Sequence, residues 1–274
     1  MKSCSLLLSL LCLIAAAGCV TTRGPVKPAA LPEGAPEAAE ILLALAQNDG
    51  QIQNFKGTGT LILESPEFAA TQVLRQSAIT YAVPDFLAIS GRKHGTLVFD
   101  LTSAGDAFLI ELPTERDYYY RIEGEQFKEV PFSVAPGEIA REMFLPRLWQ
   151  AVGNTAVLAD WQPATQTAVL LIDSGQFPVR RVQVTGPPWV VTRSELLNEA
   201  GEIIAVTTRE DYRDIAGVRF PGKVVAAFPG EQAMMSLAFR DIAINVSLDE
   251  STFDVTAKAR AVQQYLQQEF GIDR

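Results

Sequence analysis

Thr96-Leu97-Val98-Phe99-Asp100-Leu101 places Leu97, Phe99 and Leu101 on one side of an extended chain, with Thr96, Val98 and Asp100 on the other. Phe108, Ile110 and Leu112 repeat the alternation a few residues later. A side-chain period of two marks a strand with one face in a core. Working outward, turn signals recur at short intervals: Val83-Pro84-Asp85, Gly91 to Gly95, Ser103-Ala104-Gly105 and Ile122-Glu123-Gly124. Short strands at this spacing predict a meander of antiparallel hairpins. The pattern breaks between Pro136 and Gly153, where Ile139, Met143, Phe144, Leu148, Trp149 and Val152 form an apolar stripe interrupted by Pro146. Proline in a helix interior kinks or breaks it, so two short helices or one bent helix are expected there.

Strands are expected again from about Thr155, over Thr167 to Ile172, Val179 to Val184, Val190 to Leu197, Ile203 to Tyr212, Val218 to Phe228 and Met234 to Ile244. A C-terminal helix follows, with Val262, Tyr265, Leu266 and Phe270 on one side. Before the first strand, Ala38, Ile41, Leu42 and Leu45 stand at helical spacing and end near Asn48-Asp49-Gly50. The expected class is α+β, mostly β: a large curved antiparallel sheet of about ten or eleven strands packed against helices. Two segments, Ala168 to Ile172 and Ile203 to Val206, are apolar at both parities. Such strands are covered on both faces or line an apolar cavity.

At the N-terminus Lys2 precedes an apolar run from Leu6 to Leu13, broken only at Ser9, followed by Ile14-Ala15-Ala16-Ala17-Gly18-Cys19. The apolar core of about a dozen residues is too short for the roughly 20 that span a bilayer. This is the form of a secretory signal, and the Cys directly after small residues resembles a bacterial lipobox, with Ala16 where Leu is usual. The resemblance implies cleavage before Cys19 and its acylation, and Val20-Thr21 rather than Asp after it points to the outer membrane. The expected organisation is a signal peptide over 1–18, a flexible Pro-, Ala- and Gly-rich tether over 19–36 and a single domain over 37–274. Two or three acyl chains anchor stably, since each buried methylene contributes about 0.8 kcal/mol.

Cys4 and Cys12 lie in the removed segment, so the mature chain keeps no thiol but Cys19 for a disulfide, a metal or catalysis. His94 is the single histidine of the chain, which excludes a His-based metal site or a Cys–His pair. There is no Gly-x-Ser-x-Gly elbow, phosphate-binding glycine loop or metal-ligand spacing, so no catalytic residue and no cofactor is assigned. The formal net charge of -9 lacks the basic footprint that nucleic acid requires. Arg92, Lys93 and His94 sit on a glycine-flanked turn. They are either an ordinary exposed loop or a contact for phosphate headgroups or an acidic envelope partner. Asp117-Tyr118-Tyr119-Tyr120-Arg121 puts aromatics on both faces of one strand, first as packing.

The order of lipobox, tether, helix, meander, interrupting helix, second meander and closing helix resembles the LolA/LolB-like superfamily, closest to its lipid-anchored LolB-like branch. The residues that carry it are Phe55-Lys56-Gly57-Thr58-Gly59-Thr60-Leu61, Val83 to Gly91, Ala216 to Lys223 and Asp241 to Asn245, with Phe253 after them. The resemblance implies a half-open β-barrel whose concave apolar face, closed by helices, holds acyl chains of lipids or lipoproteins. It makes Ile139, Met143, Phe144 and Leu148 cargo contacts in the cavity lid, with Trp149 read first as core and second as part of that lid. Family members that insert lipoproteins carry a protruding apolar side chain on the loop that is basic here, Gly91-Arg92-Lys93-His94-Gly95. The expectation is therefore a monomeric, anchored, non-enzymatic acyl-chain binder facing the periplasm. The alternative is a structural lipoprotein of an envelope complex with a filled fold.

Overall fold

The computed structural model of the chain describes residues 31–66, 70–122, 124–127, 143–144, 156–172 and 179–270. All of these fall in the second of two units, Met1–Ala30 and Leu31–Arg274. The expected signal peptide, Cys19 and most of the expected tether lie outside the described residues.

Seven strands follow the first helix, α1 (Ala38–Asp49): β1 (Asn54–Glu64), β2 (Gln72–Ala82), β3 (Phe86–Lys93), β4 (Thr96–Ala104), β5 (Ala107–Leu112), β6 (Asp117–Ile122) and β7 (Glu125–Phe127). The second series is β8 (Ala156–Gln162), β9 (Thr167–Ile172), β10 (Val179–Thr185), β11 (Val190–Leu197), β12 (Ile203–Glu210), β13 (Arg213–Ile215), β14 (Val218–Phe220), β15 (Lys223–Phe228) and β16 (Ala233–Ile244), closed by α2 (Val255–Phe270). Among the described residues fourteen strands form one open, curved, antiparallel sheet in the order β7-β6-β5-β4-β3-β2-β1-β16-β15-β12-β11-β10-β9-β8, with β13-β14 as a separate hairpin. Fourteen exceeds the expected ten or eleven. The expected run Val218 to Phe228 is cut at Pro221-Gly222, where proline has no N–H to give a ladder, and its first piece joins the separate hairpin instead of the large sheet.

The middle of the sheet joins its first and last strands. β1 pairs with β16 from Phe55↔Ile244 to Glu64↔Met234, shifting register between Thr58 and Gly59. Glycine is required at both inward positions of this seam. A Cβ on Gly57 would stand 2.8 Å from Phe239 Cδ1, and one on Gly59 would overlap the Ala238 carbonyl oxygen.

Register sets inward residues of neighbouring strands opposite one another on either side of this seam. Leu87 stands opposite Ser103 and Tyr81, Phe55 opposite Tyr81 and Ile244, and Ser194 opposite Thr207 and Val182. The inner face carries two contiguous buried clusters. One spans β1 to β5, β12 and β14 to β16 and includes Met143 and Phe144. The other spans β8 to β11 beneath Ile41, Leu42 and Leu45 of α1.

α2 does not close the concave face. Its Val255, Ala259, Val262 and Leu266 pack on Leu109, Tyr118, Tyr120 and Ile122. These strand residues point opposite to the inward Phe108 and Ile110, because neighbours alternate along a strand. Asp254 starts the helix by accepting the Ala257 N–H at 2.9 Å, a side-chain N-cap. Tyr265, expected on the buried stripe, is 40% exposed and meets the Tyr118 ring edge-on at 6.5 Å between ring centres. The segments apolar at both parities are not covered on both sides. Ala168, Leu170 and Ile172 are buried inward while Val169 and Leu171 are half-buried, and Ile203 and Ile204 are exposed.

Candidate functional site

Phe55 is the centre of the inner face. Its ring lies 4.9 Å from Phe220, 5.3 Å from Phe144, 5.6 Å from Tyr81 and 5.9 Å from Phe239. Three of the four contacts are edge-to-face, a geometry that contributes about 0.5–1.5 kcal/mol per pair beyond area burial. Tyr81 keeps its hydroxyl satisfied by donating to the Pro84 carbonyl at 2.8 Å. Into this cluster, from between β7 and β8 in the chain, come Met143 and Phe144, which are 0% and 2% exposed. The aromatic rings, Met143 and the aliphatic side chains of β2, β3, β4 and β15 make a surface able to hold methylene chains by dispersion and water exclusion.

One end of this face is polar. Asn48, at the end of α1, accepts the Arg219 N–H at 2.8 Å and donates to the Arg219 carbonyl at 3.1 Å, tying the helix to β14. It also donates to Asp49 Oδ1 at 2.8 Å. Arg209, on the inward parity of β12, is 3% exposed and donates to Ser194 Oγ at 3.3 Å. Tyr212 donates to the Val191 carbonyl at 2.6 Å. Asn48, Asp49, Arg209, Tyr212 and Arg219, together with Phe144, border a cavity of about 20 Å³, room for about one water molecule. Asp49 is half-buried as a residue, but its carboxyl lines this cavity. Desolvation raises its pKa to about 6, against the lowering effects of the Asn48 hydrogen bond and the Arg209 charge. Burial likewise pushes the Tyr212 phenol up.

Arg92 and Lys93 end β3 and His94 opens the two-residue β3–β4 turn, all three exposed. His94 and Gly95 have φ of 52° and 84°, the left-handed pair that a tight type I′ hairpin needs. Arg92 Nη1 donates back to the Gly95 carbonyl at 3.1 Å. A separate open groove of about 570 Å³ on the outside, bordered by Val83, Phe86, Leu248 and Phe253, carries Asp249, Glu250 and Asp254. Among the described residues no three His, Cys, Asp or Glu side chains are placed to hold a metal ion. No helix among them is long and apolar enough to cross a membrane.

Of the expected lid residues, Met143 and Phe144 are brought onto the concave face, while Ile139, Leu148 and Trp149 lie outside the described residues. Tyr118 and Tyr120 are packed under α2 and Tyr119 packs on the inner side. The polar end was missed in the sequence, although Ala205, Thr207 and Arg209 alternate. A charge at the core-facing parity of a strand was the available signal.

No protein-family model matches the chain, and no curated protein matches it either. Solved structures do. A DUF1329-family protein from Desulfovibrio piger matches at 11% identity and a TM-score of 0.53, covering 80% of this chain and 97% of that one. A putative outer membrane lipoprotein-sorting protein domain from Vibrio parahaemolyticus matches at 10% and 0.52, over 80% and 98% of the two chains. A LolA superfamily protein from Nitrosomonas europaea matches at 13% and 0.52, over 80% and 98%. The fold of this chain is the open LolA-like sheet, as the sequence resemblance implied.

Proposed function

We propose that this chain is a lipid-anchored protein of the bacterial envelope that binds acyl chains on its concave face, attached through Cys19 to the outer membrane with its single domain, residues 37–274, facing the periplasm. The observation that carries this is the buried apolar cluster of the inner face around Phe55, Tyr81, Phe220 and Phe239, into which Met143 and Phe144 pack from outside the sheet strands. An acyl chain takes the place of those two side chains against Phe55, Tyr81, Phe220 and Phe239, and burying its methylenes supplies the affinity. Flexible Met suits a surface that accepts chains of different shape. Ile139, Leu148 and Trp149 complete the lid in this reading, and the exposed Arg92, Lys93 and His94 meet lipid phosphates or an acidic partner. The name of the Vibrio parahaemolyticus relative, a lipoprotein-sorting domain, supports the same class of cargo. The protein handles cargo without catalysis, as a monomer.

The test is native mass spectrometry of the full chain purified from cell envelopes. Bound lipid or acylated peptide is the expected result. A chain that carries no lipid and takes up no added fatty acid refutes acyl binding. A second reading has its own observation: Phe144 at 2% exposure already fills the centre of the face. That favours a structural lipoprotein with a filled fold, and it predicts a bound protein instead of bound lipid in the same experiment.

A further inference from the structure

The two halves of the sheet are finished differently on the outer side. α2 covers β5 and β6 there, whereas α1 lies on the inner side of β8 to β11, and among the described residues no helix packs on their outer side. Register runs one row across that bare side: Val157, Leu171, Arg181, Glu195 and Val206 stand opposite one another in turn. Their chain neighbours Leu170, Val182, Ser194 and Ala205 are buried inward, so the row faces out. Val157 and Ile204 are exposed, and Leu171 and Val206 are half-buried.

A charged triad sits in the middle of this apolar row. Glu195 Oε2 accepts from Arg181 Nη1 at 2.8 Å, and Oε1 accepts from Arg193 Nε and Nη2, each at 2.8 Å. Glu195 is 7% exposed, while the side chains of Arg181 and Arg193 are 47% and 42% exposed. One carboxylate thus fixes two guanidiniums and leaves one surplus positive charge. Arg181 Nε and Nη2 and Arg193 Nη1 donate to nothing among the described residues.

We propose that the outer side of β8 to β12 is a docking surface for a protein partner whose apolar surface carries an aspartate or glutamate at its centre. The partner's carboxylate accepts from the unused donors of Arg181 and Arg193, and its apolar side chains cover Val157, Leu171, Ile204 and Val206. Guanidinium suits this place, since its planar fork matches a carboxylate. Because Glu195 already holds both arginines, little rotamer freedom is lost when the partner arrives. Arginine ringed by apolar contacts is a common form of interface hot spot. Charge separates this occupant from two others. A second copy would set one surplus positive charge against another across a two-fold axis. An anionic bilayer repels a chain of net charge -9, whereas a lone carboxylate in an apolar surface meets only the triad. The surface lies on the opposite side of the sheet from the acyl-binding face and does not depend on that reading.

The test is photocrosslinking of the full chain in intact cell envelopes. The crosslinker p-benzoylphenylalanine replaces Ile204 or Val157 and, as a control, the exposed Ala238 on β16. Adducts from Ile204 and Val157, and not from Ala238, are expected to one other protein through a peptide that contains an aspartate or glutamate. Arg181→Gln removes the surplus charge and leaves Glu195 paired with Arg193. It is expected to lower the adduct yield at least tenfold with the urea midpoint unchanged. Arg193→Gln, which leaves the Arg181 pair, is read in the same way where that midpoint falls. Adducts to lipid or to a second copy, equal adducts from Ala238, a yield that neither variant lowers, or no adduct at all overturn the docking surface.

Discussion

Asp49→Asn tests whether the polar end of the concave face is held at a cost to stability. In the fold the Asp49 carboxyl has a pKa of about 6 against an ordinary value of 3.8, with desolvation the largest cause. The folded chain therefore binds more protons than the unfolded chain between about pH 4 and pH 6, and stability falls as pH rises through that window. At about 1.4 kcal/mol per pH unit, the ionised carboxylate costs the fold on the order of 3 kcal/mol at neutral pH. Asn keeps the shape and the acceptor for the Asn48 amide, and it cannot ionise. The variant should thus be more stable than the unaltered chain by up to about 3 kcal/mol at pH 7.5, and equal to it below about pH 4. Urea unfolding followed by tryptophan fluorescence at several pH values measures this, with the slope on denaturant expected unchanged. Asp100 and Glu111, raised chiefly by burial, and Asp241 and Asp249, lowered chiefly by hydrogen bonds, titrate in both proteins and cancel in the difference. A variant no more stable at pH 7.5 than the unaltered chain would refute the reasoning, since the Arg209 attraction would then outweigh desolvation.

Phe55→Ala should cost about 3–5 kcal/mol in the same unfolding assay, because a fully buried ring leaves a cavity among four others. A loss under about 1 kcal/mol would show that the cluster collapses without it. Gly59→Ala pushes a methyl group into the Ala238 carbonyl across the β1–β16 seam, and a loss of about 1–3 kcal/mol or more is expected. An unchanged midpoint would mean the seam shifts freely. Lys93→Glu, at the exposed end of β3, should leave stability within about 0.5 kcal/mol while weakening association with anionic vesicles, and unaltered association removes the loop from that role. Cys19→Ala should abolish incorporation of labelled palmitate, whereas label retained in the variant would end the lipidation reading.

The hairpins were legible because Leu97, Phe99 and Leu101 advertise a period of two and the turns between them carry Gly, Pro and Asp. The first helix was legible from Ile41, Leu42 and Leu45 for the same kind of reason, and these are its buried residues. What periodicity does not encode is which side of a sheet a helix chooses. α2 covers the outer face because Leu109, Tyr118 and Tyr120 offer an apolar patch there, a match between distant segments. Its buried positions include Ala259, too small to stand out in an apolar stripe, while the larger Tyr265 is left outside. The two-sided apolar strands misled for a related reason. Val169, Leu171, Ile203 and Ile204 favour extended backbone through β-branching or bulk whether or not anything covers them. The candidate site divided in the same manner, its apolar part visible as a stripe at Met143 and Phe144 and its polar part assembled from α1, β12 and β14.

The pairing of the first strand with the last sets a condition on how this protein comes into being. Residues joined across the β1–β16 seam are about 170 to 190 positions apart in the chain, so the entropy of closing a very long loop precedes any gain from the central contacts. Such non-local pairing is intrinsically slow. Until residues 233–244 have emerged, β1 lacks the neighbour that covers Gly57 and Gly59, and Phe55 lacks the Phe239 ring. A chain emerging from its N-terminus therefore cannot finish the middle of its sheet until nearly all of it is present, and closure across the seam is among the last events of folding.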